Sequence, residues 1–431
     1  MWARFWFYPL PWARSWPLTE RCSRCRRRPV TPASQRLFGL EKDGTVRTAR
    51  EARFVQPIYL DYNATTPIAP EVLSAMRPYL EEYFGNPSST HRFGQLARAG
   101  VETARAQVAG MLGAKPTEVV FTGSGTESDN LAIFGIVRAS RKTTGHVITS
   151  SVEHPAVAVV CRQLAADGWS VTWLPVDGNG CVDPDDVRRA VRPETSLASV
   201  MHANNEVGSI QPLRAISAIL RERDIPFHTD AAQSAGKIPC RVDELGVDLL
   251  TIAGHKLYAP KGIGALYVRE GIPLAPFMRG AGQEGGRRPG TENVAGIVGL
   301  GAACELAAAE GEPRTAHLSR TRDLLGALLT AGLDDIRRHG GRDRVLPNTL
   351  SVGFGGILVT ALVDALEGVA ASAGAACHGK GGEPSATLKA MAVPERFALG
   401  TLRLSTGRPT TEEDIRMAAD RIIAAVRKLR R

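Results

Sequence analysis

Aromatic residues are scarce in this chain, at 6% of its 431 positions. Those present are oddly placed, since Trp2, Trp6, Trp12 and Trp16 account for four of the six tryptophans. Apolar runs are short: none approaches the roughly 20 residues that a bilayer-crossing helix needs, so no membrane partner is expected. Cysteine is also sparse. The seven are odd in number and scattered without a disulfide-like spacing, which fits a reducing, cytoplasmic setting. Cys22-Ser23-Arg24-Cys25 is the one close pair, and no second pair or nearby histidines complete four zinc ligands, so no metal is expected. Internal repeats are absent.

Excess charge is missing from most of the chain as well. The net charge is +9, yet residues 1–55 hold twelve Lys/Arg against four Asp/Glu, so eight of the nine charges lie there. The rest is close to neutral, and no nucleic-acid partner is expected for it. Residues 1–55, with Pro9, Pro11, Pro17 and Arg26-Arg27-Arg28, show neither apolar periodicity nor the apolar region of a secretory signal. They are read as a disordered or mis-assigned N-terminal extension. An Arg-rich, acid-poor organellar presequence is an alternative, and a zinc or nucleic-acid arm another.

From about residue 58 short apolar strands alternate with helical stretches. Strands are expected at Val119–Phe121, His146–Thr149, Val171–Val176, Leu197–Met201, Ile225–Thr229, Val247–Ile252 and Gly264–Val268. Helices are expected near Glu127–Val137 and Pro212–Arg223. This alternation predicts an α/β fold with a mostly parallel sheet wrapped by helices. After about residue 313 the texture changes: a helix near Thr315–Leu329, strands at Thr349–Val352 and Thr401–Ser405, and a last helix over Thr411–Leu429 predict a smaller α+β domain.

The chemistry-bearing residues follow strands, where α/β sheets place their ligands. Lys256 stands where Val247–Ile252 ends, and Asp230 where Ile225–Thr229 ends, with Gln233 three residues on. A lysine and an aspartate on strand ends suit pyridoxal phosphate, which takes a lysine for its Schiff base and a carboxylate for its pyridinium nitrogen; two solvent-facing side chains are the plainer reading. Gly123-Ser124-Gly125-Thr126-Glu127 joins a strand to a helix and can cradle a phosphate, or is a glycine-rich turn with Thr126 as helix cap. His154 could stack on a ring and move protons, or be a solvated loop histidine. Cys377 lies in Ala373-Gly374-Ala375-Ala376-Cys377-His378-Gly379-Lys380, a loop of small residues on which a thiolate can act as a nucleophile; Cys161, in an apolar stretch, reads as structural. Arg403, inside an apolar strand, meets either an anionic ligand or an acidic side chain.

Together these segments resemble the class V aminotransferase-like, pyridoxal-phosphate-dependent cysteine desulfurases and the related selenocysteine lyases, from about Ile58 to the C-terminus. The matching motifs are Tyr59-Leu60-Asp61-Tyr62-Asn63-Ala64-Thr65-Thr66-Pro67, Gly85-Asn86-Pro87-Ser88-Ser89, Gly125-Thr126-Glu127-Ser128, Asn204-Asn205-Glu206, Asp230-Ala231-Ala232-Gln233, Gly254-His255-Lys256, Pro289-Gly290-Thr291-Glu292-Asn293 and Leu402-Arg403-Leu404-Ser405-Thr406-Gly407-Arg408. The resemblance implies fold type I, with a seven-stranded sheet in a large domain over 72–313 and a small domain of 56–71 and 314–431.

It also implies roles. Lys256 would carry the cofactor, Asp230 would bind its ring nitrogen and Gln233 its ring hydroxyl. His154 would stack on the ring and transfer protons. Gly125, Thr126 and His255 would hold the phosphate, with Thr291 reaching in from the second subunit of a homodimer. Asn205 and Arg403 would bind the substrate carboxylate. Cys377 would take the sulfur of L-cysteine as a persulfide, releasing L-alanine, and pass it to an acceptor protein for iron–sulfur cluster, thio-cofactor or tRNA synthesis. Two departures point towards a selenocysteine lyase as the alternative: Ala253 where many desulfurases have serine, and Ala376-Cys377-His378 in the acceptor loop. Glu383-Pro384-Ser385 and Lys261-Gly262-Ile263-Gly264 point back to the desulfurases. A plain transaminase or a non-catalytic scaffold would not need both Lys256 and Cys377.

Overall fold

The computed structural model describes residues 57–373 and 383–431. The N-terminal extension and the loop holding Cys377 lie outside the described residues.

Twelve strands are numbered in chain order: β1 (Ile58–Tyr59), β2 (Val119–Thr122), β3 (His146–Ser150), β4 (Ser170–Leu174), β5 (Thr195–Ser199), β6 (Phe227–Asp230), β7 (Leu249–Ala253), β8 (Gly264–Val268), β9 (Ile336–His339), β10 (Thr349–Phe354), β11 (Val369–Ala370) and β12 (Thr401–Ser405). Seven form the main sheet, in the order β2-β8-β7-β6-β5-β3-β4. Strands β3 to β7 pair in parallel, and β8 runs antiparallel between β7 and β2. Strands buried on both faces are usually apolar nearly throughout; here His146, Thr149, Ser150, Thr195, Ser199, His228, Thr229 and Asp230 are buried in them beside the apolar residues. Their period of two deals the side chains to opposite sides. Val120, Val147, Leu197, Leu249 and Leu266 share one core with the helices Gly125–Ala139 and Pro155–Ala166. Phe121, Ile148, Ala198, Leu250 and Ala265 share the other with the helices Arg92–Leu112 and Leu213–Arg221. Exposed positions are confined to the edge strand β4, which ends before Pro175, a residue with no N–H to give to a ladder.

A second core gathers Leu60, Leu325, Leu329, Leu350, Val352, Leu402, Leu404, Ile415 and Ile422. It sits on the antiparallel sheet β12-β10-β9 and under the C-terminal helix Glu412–Leu429. Thr411 and Asp414 close that helix with a reciprocal capping box.

The structure departs from the sequence reading in one large element. The helix expected at 315–329 is the second half of a helix spanning Val294–Gly332. Gly311 breaks it at φ 33°, ψ −120°, two residues before Pro313. Glycine takes that left-handed backbone at little cost, and the missing proline N–H falls at the break. By length and composition this helix could cross a membrane, but half of its apolar window is buried in the protein; Leu300, Ala303 and Cys304 belong to the main core. A smaller difference is the cap of the helix Gly125–Ala139, which is Ser124 rather than Thr126: its Oγ accepts the Glu127 N–H at 3.1 Å.

Leu350 is fully buried on the central strand of the small sheet. Leu350→Ala is expected to cost about 2–5 kcal/mol of unfolding free energy through lost contact and a residual cavity, measured by urea denaturation. A loss below about 1 kcal/mol would contradict the second core described above.

Candidate active site

Asp230, Lys256, Gly125 and His154 lie at the carboxyl edge of the main sheet, and Cys377 falls outside the described residues. Asp230 is the last residue of β6 and pairs with Thr251 of β7. Five residues beyond Thr251, Lys256 closes the turn Gly254–Lys256. The helix Gly125–Ala139 starts just after β2, and His154 caps the helix Pro155–Ala166 after β3, its Nδ1 accepting the Ala156 N–H at 3.2 Å. His154 is exposed, and its charge acts on Asp230.

One residue whose role sequence reasoning missed ties these ends together. Asn63 is fully buried. Its backbone carbonyl accepts Lys256 Nζ at 2.5 Å and Gln233 Nε2 at 2.9 Å. Its Oδ1 accepts Lys237 Nζ at 3.2 Å and Asn348 Nδ2 at 3.0 Å. Its Nδ2 donates to Thr349 Oγ1 at 2.8 Å and the Asn205 carbonyl at 3.4 Å, and its N–H to Ser405 Oγ at 2.9 Å. Lys256 Nζ also donates to the Ala64 carbonyl at 2.9 Å.

The electrostatics suit an amine that must lose its proton. Burial and the Arg403 charge lower the Lys256 pKa from 10.5 to about 8, against the pull of Asp230 and Asp61. Burial raises the Asp230 carboxyl, opposed by the Ala232 N–H on Oδ1 at 2.8 Å and by the charges of His154 and Lys256. Glu153 lies behind it. Its Oε1 accepts the Ser150 hydroxyl at 2.5 Å and the Met201 N–H at 2.9 Å, its Oε2 is buried without a donor, and burial pushes its pKa up to about 8. A cation set against this carboxyl cluster would favour the ionised form of Asp230.

At the other end, Gly125 packs against Ala253: a Cβ there would come within 3.0 Å of the alanine Cβ. That close approach brings the start of the helix, with Thr126 exposed, beside His255 and Lys256. His255 Nδ1 lies 3.1 Å from Thr65 Oγ1, and burial, then the Lys256 and Lys261 charges, lower its pKa to about 4. A neutral ring and free helix N–H groups form a donor set for a phosphate.

Arg403 takes the acidic side chain as its partner in this structure. Its Nη2 meets Asp61 Oδ1 at 2.8 Å, its Nη1 donates to the Asn205 carbonyl at 3.1 Å, and its Nε is buried without a partner. Thr291 is exposed. Asp61 and Asn63 stand in a quoted motif but had no assigned role. Lys237 and Glu153 also went unread, although a lysine amid Ala235-Gly236-Lys237-Ile238-Pro239 was a visible signal.

A reactive lysine, a buried carboxylate on the neighbouring strand end, an amide and a helix start fit pyridoxal phosphate. The class defined by this sheet and site is that of pyridoxal-phosphate-dependent enzymes of fold type I. Residues 58–417 match the family model described as aminotransferase class V. A cysteine desulfurase, IscS, of Dictyoglomus turgidum is 47% identical over 376 residues, covering 86% of this chain and 95% of the relative. A solved NifS-like protein superposes with a TM-score of 0.82 at 35% identity, over 87% of this chain and all of that one. A structure described as SspA in complex with cysteine superposes with a TM-score of 0.72 at 38% identity, over 80% of this chain and 98% of that one. The chain therefore belongs to the cysteine desulfurase branch of the class V aminotransferase family.

The lowered Lys256 pKa is directly testable. Competitive acetylation of the apoprotein, followed by mass spectrometry of the Lys256 peptide, should show reactivity rising with pH through a midpoint near 8, as the neutral amine replaces the ammonium. A midpoint near the ordinary 10.5 would contradict the burial described.

Proposed function

We infer that this protein is a cysteine desulfurase: it removes sulfur from L-cysteine, releases L-alanine and takes the sulfur on Cys377. The observation that carries the reading is the convergence of Lys256, Asp230 and Gln233 at adjoining strand ends, with the Lys256 pKa lowered by burial. Pyridoxal phosphate supplies the electron sink for bond cleavage at the substrate's carbons.

The chain's residues do the rest. Lys256 Nζ is held by two carbonyls; once neutral it would be the amine that holds the cofactor, and it would move the substrate's α-proton. Asp230 would pair with the ring nitrogen, and Gln233 would give an N–H to the ring oxygen. Gly125, Thr126 and His255 would hold the phosphate, with Thr291 offered to the partner of a homodimer. Arg403 and Asn205 would hold the substrate carboxylate, and His154 would stack on the ring. The thiolate of Cys377 attacks the substrate sulfur: the new S–S bond forms as the Cβ–S bond breaks, and the electron pair left on carbon is protonated to give alanine. The persulfide then passes to an acceptor protein.

Three of the other thiols support this choice of nucleophile. Cys161, Cys240 and Cys304 are buried, and burial pushes each up to about 12. A thiol must ionise to attack, so these three are inert near neutrality. Ala253, which favours the selenocysteine reading on sequence grounds, packs on Gly125 at the phosphate end. It bears on the grip on phosphate rather than on the choice of sulfur or selenium.

Two substitutions test the assignment. Lys256→Ala should abolish alanine formation from L-cysteine and the visible absorption of covalently bound pyridoxal phosphate. Cys377→Ser should keep that absorption but lose alanine formation. Wild-type turnover in either variant would refute the roles given.

A further inference from the structure

Lys237 is buried, 8% exposed, in the turn that follows Asp230, and neither the proposed chemistry nor the motif reading uses it. Its Nζ donates to Gln233 Oε1 at 3.0 Å and to Asn63 Oδ1 at 3.2 Å. No carboxylate pairs with it among the described residues. A lysine buried among amides rather than acids calls for a reason, because its desolvation is not offset by a counter-charge.

The reason lies in the amides. The two ends of a glutamine side chain have nearly the same shape, and the network around them decides which is oxygen and which is nitrogen. An N–H donor on one side forces the oxygen to that side. Lys237 therefore turns Gln233 Oε1 towards itself and Gln233 Nε2 the other way, towards the Asn63 carbonyl that also receives Lys256 Nζ. The same amine fixes Asn63 with Oδ1 inward and Nδ2 towards Thr349. Burial, then the charges of Lys256 and Arg403, push the Lys237 pKa well down. Even a neutral amine has two N–H groups, one for each of these oxygens.

We propose that Lys237 is a positioning residue that acts through Gln233: it locks the amide so that its N–H, and not its oxygen, faces the cofactor's ring hydroxyl. The proposal rests on the pyridoxal phosphate reading above. An N–H donated to the ring oxygen favours its ionised form. A carbonyl turned to the same atom would repel it.

The test uses the holoenzyme and four proteins: wild type, Lys237→Met, Gln233→Ala and the double variant. Two quantities are read from each: the dissociation constant of pyridoxal phosphate for the apoprotein, and the pH midpoint of the visible band of the bound cofactor. Lys237→Met should weaken binding about tenfold, the scale of one hydrogen bond lost at a charged group, and should raise the midpoint. Gln233→Ala should do the same, and the double variant should be no worse than Gln233→Ala alone, because Lys237 has nothing left to orient. Lys237→Arg, which keeps N–H donors for the two amide oxygens, should restore the midpoint; it also serves if the methionine variant does not fold. Additive effects would show that Lys237 acts by its charge or by structure and overturn the proposal, as would an unchanged midpoint in Lys237→Met or no recovery in Lys237→Arg. Failure of the wild type to bind pyridoxal phosphate would instead overturn the functional reading itself.

Discussion

The site depends on one buried asparagine. Asn63 leaves none of its backbone or side-chain polar groups idle, and its partners come from five separate parts of the chain. Buried polar groups are tolerated when every member of the network is satisfied. Here that satisfaction joins the strand-end turns of the main sheet, through Lys256, Gln233 and Lys237, to the second core, through Asn348, Thr349 and Ser405. The geometry of the amine at the cofactor site is thus coupled to the packing of the C-terminal sheet. The ion pair of Arg403 on β12 with Asp61, two residues before Asn63, runs along the same seam.

That seam also explains the unusual acid–base state of the site. Lys256 is held by carbonyls rather than carboxylates, and Arg403 adds positive charge nearby, so the neutral amine gains. Asp230 and Glu153 are buried together, so a carboxyl proton is retained in the cluster unless a cation arrives. Each group is poised for a partner that carries an aldehyde at one point and a basic ring nitrogen at another. Meanwhile burial holds the thiols of Cys161, Cys240 and Cys304 protonated.

Much of this was legible in the sequence because it is written locally. The strands β2 to β8 are short segments with clear ends, and Asp230 and Lys256 mark two of those ends. Gly125 and His154 fall where a strand gives way to a helix. The unread part is non-local. Asn63 meets Ser405 across 342 residues of sequence and Lys237 across 174, and no periodicity reports such a contact. The partner of Arg403 was open for the same reason, since Asp61 lies 342 residues away. The long helix is longer than expected: its first half, before Gly311, has no counterpart in the sequence reading, and the glycine takes the backbone of the break at little cost.

The fate of the substrate sulfur tests the proposed chemistry most directly. Wild-type protein loaded with pyridoxal phosphate and given L-cysteine should carry one additional sulfur atom, located by mass spectrometry of its peptides on the peptide containing Cys377. An additional sulfur on Cys161, Cys240 or Cys304, or none on any cysteine while alanine is produced, would contradict it.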